Sequence, residues 1–272
     1  MNTLEWCLLI AIIVVILLFL LVIYLIKPNK RRDTSYFKKK SYAHRGLHSS
    51  LIPENSLWAF REAVKAGFGV ELDVQMTRDG VLVVFHDDTL NRMCGVKGGI
   101  KDYSYEELTA FRLKDTDEKI PLFSEVLETL GGVDLICELK SANGARNYYF
   151  CEKVFEMLST YKGEYCIESF SPFLVGWFAK NHPEVIRGQL SCDLMHDKSL
   201  SLITRFLLTH LFLNRVSKPD FIAYSYKDIN KLGFRLCKVF YSPFLVAWTA
   251  RGEEAEKEAW GSFDSVIFEK LG

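Results

Sequence analysis

An α/β fold is predicted for this chain: a (β/α)8 TIM-type barrel with a small insertion, preceded by one transmembrane helix. Three observations predict it. Residues 6–26 are 21 positions without a charge, dense in Leu, Ile, Val and Phe. Removing 1–26 leaves 246 of the 272 residues, one large domain of the size a barrel of about 250 residues uses. Across those residues short β-rich runs alternate with helical patterns, the rhythm of a largely parallel sheet.

At 1.5 Å per helical residue, 6–26 cover the roughly 30 Å hydrocarbon core of a bilayer. Glu5 precedes the run, and Lys27, Lys30, Arg31 and Arg32 follow it with no small-residue cleavage site. An uncleaved anchor is therefore expected rather than a signal peptide. Basic flanks stay on the cytoplasmic side. That places 1–5 outside, 27–40 inside as a basic linker, and the domain 41–272 in the cytosol.

Charge excludes one class of partner. Lys+Arg and Asp+Glu are 34 each. Residues 27–40 hold seven bases against Asp33, so 41–272 carry 27 bases and 32 acids. No wide basic footprint remains for a nucleic acid. The seven cysteines are scattered singly, without a CxxC pair, which suits reduced thiols and argues against a disulfide scaffold or a zinc site.

Within the domain the first strand is expected at 42–46. Asn55 or Ser56 then caps a helix with Leu57, Phe60 and Val64 on one face, stopped by Gly67. Strands follow at 69–75 and 81–86. Only about five residues containing Arg78-Asp79-Gly80 separate them, too few for a parallel crossover, so they form a hairpin. A turn centred between Arg78 and Asp79 sets Glu71 opposite His86 and Asp73 opposite Val84, with Glu71 and Asp73 on one face. Residues 88–120, rich in Gly, Asp, Lys and Tyr, break the rhythm and read as an insertion. A helix at 123–130, a strand at 134–140 and a helix at 145–161 come next. Further strands are expected at 165–169, 185–191, 220–224, 244–248 and 265–268. Segment 200–213 is strongly apolar, yet too short to span a bilayer and interrupted by Arg205 and His210. It reads as a barrel helix packed on the sheet, or as a helix whose outer face dips into the bilayer.

Three stretches put ionisable residues where strand residues should be apolar: His44-Arg45-Gly46, Glu71-Leu72-Asp73 with His86-Asp87, and Glu138-Leu139-Lys140. Polar residues at the carboxyl ends of barrel strands build active sites. Glu71, Asp73 and Glu138 are hard oxygen donors that suit Mg²⁺ or Ca²⁺. Arg45 and Lys140 suit a phosphate, Arg through its planar fork and Lys as a point charge. His44 and His86 are a natural acid–base pair. A merely solvated strand face explains Glu71 and Asp73 poorly, since Val70, Leu72 and Val74 already supply the face that packs on helices. Glu138 and Lys140 have the alternative reading of a plain ion pair. Trp248, at a strand end, reads as core or as a surface on which substrate stacks. His48, His182, His196 and His210 have no partners in sequence and read as structural or solvated.

Taken together, Ala43-His44-Arg45-Gly46, Pro53-Glu54-Asn55-Ser56, Glu71-Leu72-Asp73-Val74, Thr77-Arg78-Asp79-Gly80, Val84-Phe85-His86-Asp87, Asn91-Arg92 and Glu138-Leu139-Lys140 occur in that order. The series resembles the glycerophosphodiester phosphodiesterase family. Ala247-Trp248-Thr249 resembles that family's Trp-Thr motif. Two departures follow: Arg251 stands where the family often has Asn, and Ile267-Phe268-Glu269 replaces a usual Ile-Thr-Asp. Both bear on substrate contacts near the end of the barrel. The resemblance implies a (β/α)8 barrel and one divalent cation held by Glu71, Asp73 and Glu138. It also implies a mechanism in which one histidine, His44 or His86, deprotonates the attacking oxygen while the other protonates the leaving alcohol. The expected reaction is hydrolysis of glycerophosphodiesters to sn-glycerol 3-phosphate and an alcohol. With the anchor, a lysophospholipase D type activity on membrane lysophospholipids is the alternative. A non-catalytic barrel that binds a phospho-head-group is a third reading, opposed by the intact set of ionisable residues.

Overall fold

Nine strands are present: β1 (Ser41–His44), β2 (Gly69–Met76), β3 (Leu82–Val84), β4 (Leu135–Leu139), β5 (Tyr165–Ser169), β6 (Ile186–Ser191), β7 (Phe221–Ser225), β8 (Phe244–Arg251) and β9 (Ser265–Glu269). All but β3 pair in parallel, in the order β1-β2-β4-β5-β6-β7-β8-β9, and β9 returns to β1. The sheet therefore closes into an eight-stranded barrel. The computed structural model describes residues 2–29, 33–140 and 146–270; Lys30, Arg31 and Arg32 of the basic stretch and Ala145 of the helix expected at 145–161 lie outside them.

Helices alternate with the strands: α1 (Thr3–Leu25), α2 (Leu57–Lys65), α3 (Asn91–Cys94), α4 (Tyr105–Leu108), α5 (Phe123–Leu130), α6 (Tyr148–Leu158), α7 (Pro172–Asn181), α8 (Leu202–Thr209), α9 (Asn214–Ser217), α10 (Leu232–Tyr241) and α11 (Glu253–Trp260). Strand alternation sorts the side chains. Val70, Leu72 and Val74 of β2, with Leu135, Cys137 and Leu139 of β4, pack outward in one cluster with Phe60, Phe123, Val126 and Val154 of the helices. The alternate positions meet inside, where Tyr42, Ile136, Cys166, Phe221, Val246 and Ile267 form a second apolar cluster. Gly188 is required there, because a Cβ on it would lie 2.2 Å from the Phe221 ring. That plug fills the barrel floor and leaves its carboxyl end to polar side chains.

Several expectations shift. β1 ends at His44, not at residue 46, because Arg45 (φ +55°) and Gly46 (φ +79°) turn the chain left-handed. A Cβ on Gly46 would lie 2.8 Å from the backbone of Ala59, so the turn packs directly on α2. The hairpin register is one residue off the predicted one: Val74 pairs with Val84 and Met76 with Leu82. The cause is the loop, in which Thr77 N–H donates to Val81 O (2.9 Å) around a left-handed Gly80. Its centre is Asp79 rather than the Arg78–Asp79 bond. β3 stops at Val84, and His86 is not opposite Glu71. α1 starts at Thr3 instead of residue 6, since Asn2 caps it by accepting from Glu5 N–H.

Residues beyond β3 fold around their own apolar cluster of Phe85, Leu90, Met93, Ile100, Leu108 and Ile120. At the other end of the chain, α1 leaves the barrel along α9 and α10. Ile26 is fully buried; its carbonyl accepts from the Asn214 side chain (2.8 Å), and Tyr241 Oη donates to Ile23 O (2.7 Å).

Candidate active site at the carboxyl end of the barrel

Three adjacent strands present acids at one level. Asp73 is in register with Glu138, and Glu138 with Glu168. Glu71 lies two residues lower on β2, in register with His44. All four acids are buried. One carboxylate oxygen from each of Glu71, Asp73 and Glu138 can be chosen so that all three lie within 4.8 Å of one another. Lys140 Nζ sits 2.8 Å from Glu138 Oε1 and 3.1 Å from Asp73 Oδ1.

The loop after β1 supports this row. Arg45 N–H donates to Glu71 Oε2 (3.1 Å), and its guanidinium reaches Glu54 (2.6 Å) and Asp73 (3.4 Å). Asn55 donates to Asp73 Oδ2 at 2.8 Å, while Ser56 caps α2 by accepting from Ala59 N–H. Glu54 also binds Arg92, which in turn grips Asp87. The whole segment from Glu54 to Ser56 is thereby tied to the site.

The two histidines flank the acids. His44 Nδ1 lies 2.6 Å from Glu269 Oε1, and Nε2 is 3.8 Å from Glu71 Oε2. His86 Nδ1 is 2.7 Å from Asp87 Oδ1. Gln75, on β2, donates to the carbonyls of Phe85, His86 and Asp87 (2.9, 3.2 and 2.9 Å). This pins the irregular stretch after β3 over the strand ends.

Electrostatics follow from burial with too few cations. Burial, then Asp73 and Glu138, push the Glu71 carboxyl well above the usual range. Burial and Glu138 do the same to Glu168. Burial opposes ionisation of Asp73 too, but Lys140, His86 and Arg45 overcome it and hold that carboxyl low. Burial lowers His44 to about 4 against the pull of Glu269. On Lys140, Asp73 and Glu138 outweigh burial and raise the ammonium.

A cavity of about 300 Å³ opens above these groups, lined by His44, Arg45, Glu71, His86, Glu138 and Lys140 from one side. Phe170 and Trp248 close part of the other, ring centroids 5.5 Å apart, and Trp248 Nε1 is buried without a hydrogen-bond partner among the described residues. All eight residues singled out in the sequence thus border one space or, for Asp73, its wall. Glu168 and Gln75 were missed, Asn55 was seen only as a cap candidate and a motif residue, and Glu269 only as a departure bearing on substrate contacts. Glu168 carried the signal already used for Glu138, an acid at an alternate position of an apolar strand.

Comparison with known proteins agrees with this geometry. Residues 44–170 match the glycerophosphoryl diester phosphodiesterase family. A glycerophosphodiester phosphodiesterase of Caldanaerobacter subterraneus subsp. tengcongensis is 34% identical over 237 residues, 83% of this chain and 91% of the relative. Human lysophospholipase D GDPD1 is 31% identical over 148 residues, 50% of this chain and 46% of the relative. The crystal structure of a Thermotoga maritima glycerophosphodiester phosphodiesterase aligns with a TM-score of 0.64 at 26% identity, covering 84% of this chain and 93% of that one. An Oleispira antarctica phosphodiesterase solved with sn-glycerol-3-phosphate shares the fold, with a TM-score of 0.71 at 23% identity over 86% and 94% of the two chains.

Proposed function

Starting from the glycerophosphoryl diester phosphodiesterase family, to which this chain belongs, we propose a division of labour among its residues for the hydrolysis of glycerophosphodiesters to sn-glycerol 3-phosphate and an alcohol. The observation that carries the reading is the grouping of Glu71, Asp73 and Glu138 between His44 and His86 at the strand ends.

The donor set fits a divalent cation. Four buried acids face Lys140 and Arg45, and Glu168 Oε2 is buried with no hydrogen-bond partner among the described residues, so the cluster is short of positive charge. Glu71, Asp73 and Glu138 would hold the ion, Mg²⁺ or Ca²⁺ by their hard oxygens. A bound cation would supply charge to neutralise the phosphoryl oxygens.

His44 is the base. It is the deeper of the two rings, its side chain 10% exposed, and its Nε2 stands beside Glu71 while Glu269 fixes Nδ1. There it takes the proton of the attacking oxygen, either from water, which gives the product directly, or from the substrate's own glycerol hydroxyl, which gives a cyclic phosphate that water then opens. His86, 31% exposed and anchored by Asp87, stands where a departing alcohol reaches solvent and donates a proton to it. Each positioned histidine contributes roughly 10²–10⁴ in rate. Lys140 and Arg45 bind the phosphate, Arg45 held rigid by Glu54.

Activity assayed across metals and across glycerophosphodiesters tests this reading. His44→Ala and His86→Ala are expected to abolish turnover while circular dichroism stays unchanged. Substantial turnover in either variant would remove the two-histidine scheme.

A lysophospholipid substrate is favoured by one further observation. A second cavity of about 520 Å³ shares Glu138, Lys140 and Phe170 with the first and runs on past Phe173, Leu194, Leu200 and Leu208, a path suited to an acyl chain. Glycerophosphocholine and lysophosphatidylcholine assayed side by side separate the two, and Leu208→Gln should depress only the second.

The α1 helix reads as an uncleaved membrane anchor, with the segment before it outside and the barrel in the cytosol. Its mean hydropathy is 3.6 over an 18-residue window, of which nothing is buried in the protein. Cleavage of a leader after the apolar run would strip partners from Asn214, fully buried, and from Tyr241. Retention of α1 in the mature chain, read by N-terminal sequencing, tests it.

A further inference from the structure

We infer that the flank of the barrel formed by α8, α9 and α10 lies on the bilayer surface, its basic side chains on anionic headgroups, with its exposed apolar residues sunk into the interface. The inference rests on reading α1 as the anchor. Three observations carry it.

The first is distribution. Leu202, Ile203 and Phe206 on α8, Val216 on α9, and Val239 and Phe240 on α10 are all exposed, Ile203 and Val239 by 73% and 75%. α8 and α9 join β6 to β7, and α10 joins β7 to β8, so these helices are neighbours on one side of the wall. Scattered single apolar residues need no partner, but six on three successive helices of one flank are more than scatter.

The second is charge. Residues 201–241 hold seven Lys and Arg against Asp220 and Asp228, and Asp220 is buried. The rest of 41–272 holds 20 bases against 30 acids. Arg235 and Lys238 are exposed on the same helix as Val239 and Phe240. Basic residues flanking an apolar helix face suit an anionic surface.

The third is geometric. Phe19 of α1 packs edge-on against Phe240, centroids 5.8 Å apart, and the Arg215 guanidinium lies 4.5 Å over the Tyr24 ring. Phe19 is six residues before the end of α1 at Leu25, about 9 Å along the axis. A helix of this length has little to spare beyond the roughly 30 Å core. A barrel residue touching Phe19 must therefore enter the interface itself. Phe240 sets the height, and the flank that carries it is laid against the headgroups.

The test uses the full chain in vesicles of phosphatidylcholine with or without phosphatidylglycerol. The photocrosslinker p-benzoylphenylalanine is introduced at Ile203, at Val239 or, as control, at the exposed Glu128 of α5 across the barrel, and lipid adducts are counted by mass spectrometry. Turnover of glycerophosphocholine checks that each variant is folded. Adduct yields at 203 and 239 at least tenfold above 128, rising with phosphatidylglycerol, are expected. Arg235→Glu with Lys238→Glu should cut that rise roughly fivefold per charge. Equal yields at the three sites, or crosslinks to a second copy of the chain in place of lipid, overturn the proposal. Extraction of the chain by alkaline carbonate overturns the anchor reading instead, and this inference with it.

Discussion

Glu269 Oε1 lies 2.6 Å from His44 Nδ1, so the last strand of the barrel orients the ring that ends the first. Arg251 Nε donates to the other oxygen of the same carboxylate at 2.6 Å. Burial works against ionisation of Glu269, but His44 and Arg251 hold its carboxyl at about 2. Arg251 and Glu269, one from each departure from the family's sequence pattern, thus touch one another beside His44, and Arg251 and His44 both line the cavity.

With His44 as the proposed base, Glu269 is assigned the part of a positioning residue. Glu269→Gln should lower kcat roughly 10²–10⁴-fold, the scale on which a histidine loses its orienting carboxylate, with KM changed by less than about threefold. Glu269→Asp, which keeps the charge, should recover part of the loss. A fall in KM-dependent terms alone would show that Glu269 acts on substrate and not through His44. Arg251, 58% exposed, should matter less: Arg251→Ala is expected to cost about tenfold or under, in keeping with a solvated ion pair.

On the proposed reading, the buried acids separate by their roles toward a divalent cation. Glu138→Gln is expected to raise the half-saturating metal concentration at least tenfold, since it removes the charge of a proposed ligand oxygen. Glu168→Gln should shift it less than about threefold, because Glu168 lies outside the trio whose oxygens come within 4.8 Å of one another and the amide keeps the shape of the carboxyl. Metal titration by calorimetry reads both. A larger shift for Glu168→Gln would make it a fourth ligand.

Why was so much of this site legible in sequence, and where did legibility stop? The acids of β2 and β4 announce themselves because a barrel strand allows a charge on its inner face only where the barrel opens. That logic needs nothing beyond alternation, and it also covers Glu168. The hairpin was legible as a hairpin from loop length, but not in register, because register depends on whether Thr77 or Arg78 closes the loop, and one residue of slip exchanges faces. The contacts of Glu269 and Gln75 were illegible for another reason. Each acts across a distance the chain sets only by closing: Glu269 through the β9–β1 seam, and Gln75 through the carbonyls of a stretch with no regular structure.

Gln75 provides a test of that stretch. Its amide spans three successive carbonyls around His86, and it is buried. Gln75→Leu leaves them without a donor, at about 1–3 kcal/mol for each buried group left unpaired. The expected result is a lower urea midpoint together with a kcat loss of roughly tenfold or more, because His86 loses its fixed height over the acids. Equal turnover in Gln75→Leu would mean that Asp87 and Arg92 alone position His86.

The ion pairs of Arg92 with Glu54 and Asp87 should make the fold acid-sensitive in a defined window. Burial would raise the Glu54 carboxyl, but hydrogen bonds from Arg92 and the charge of Arg45 hold it at about 2, against 4.5 for the free group. A carboxyl held low when folded binds fewer protons in the native state than in the unfolded one. Its contribution is therefore complete above about pH 4.5 and declines as pH falls from there toward 2. Asp87 is lowered in the same way, against its burial, by His86 and Arg92, and extends the decline to lower pH. Urea midpoints measured at pH 6 and pH 3 should differ most for the native sequence. Arg92→Ala, which removes bonds to both acids, should lower the midpoint at pH 6 and narrow the gap to pH 3. If the gap were unchanged in Arg92→Ala, the acid sensitivity would belong to other carboxylates held low, with Asp73, lowered by Lys140, His86 and Arg45, the first place to look.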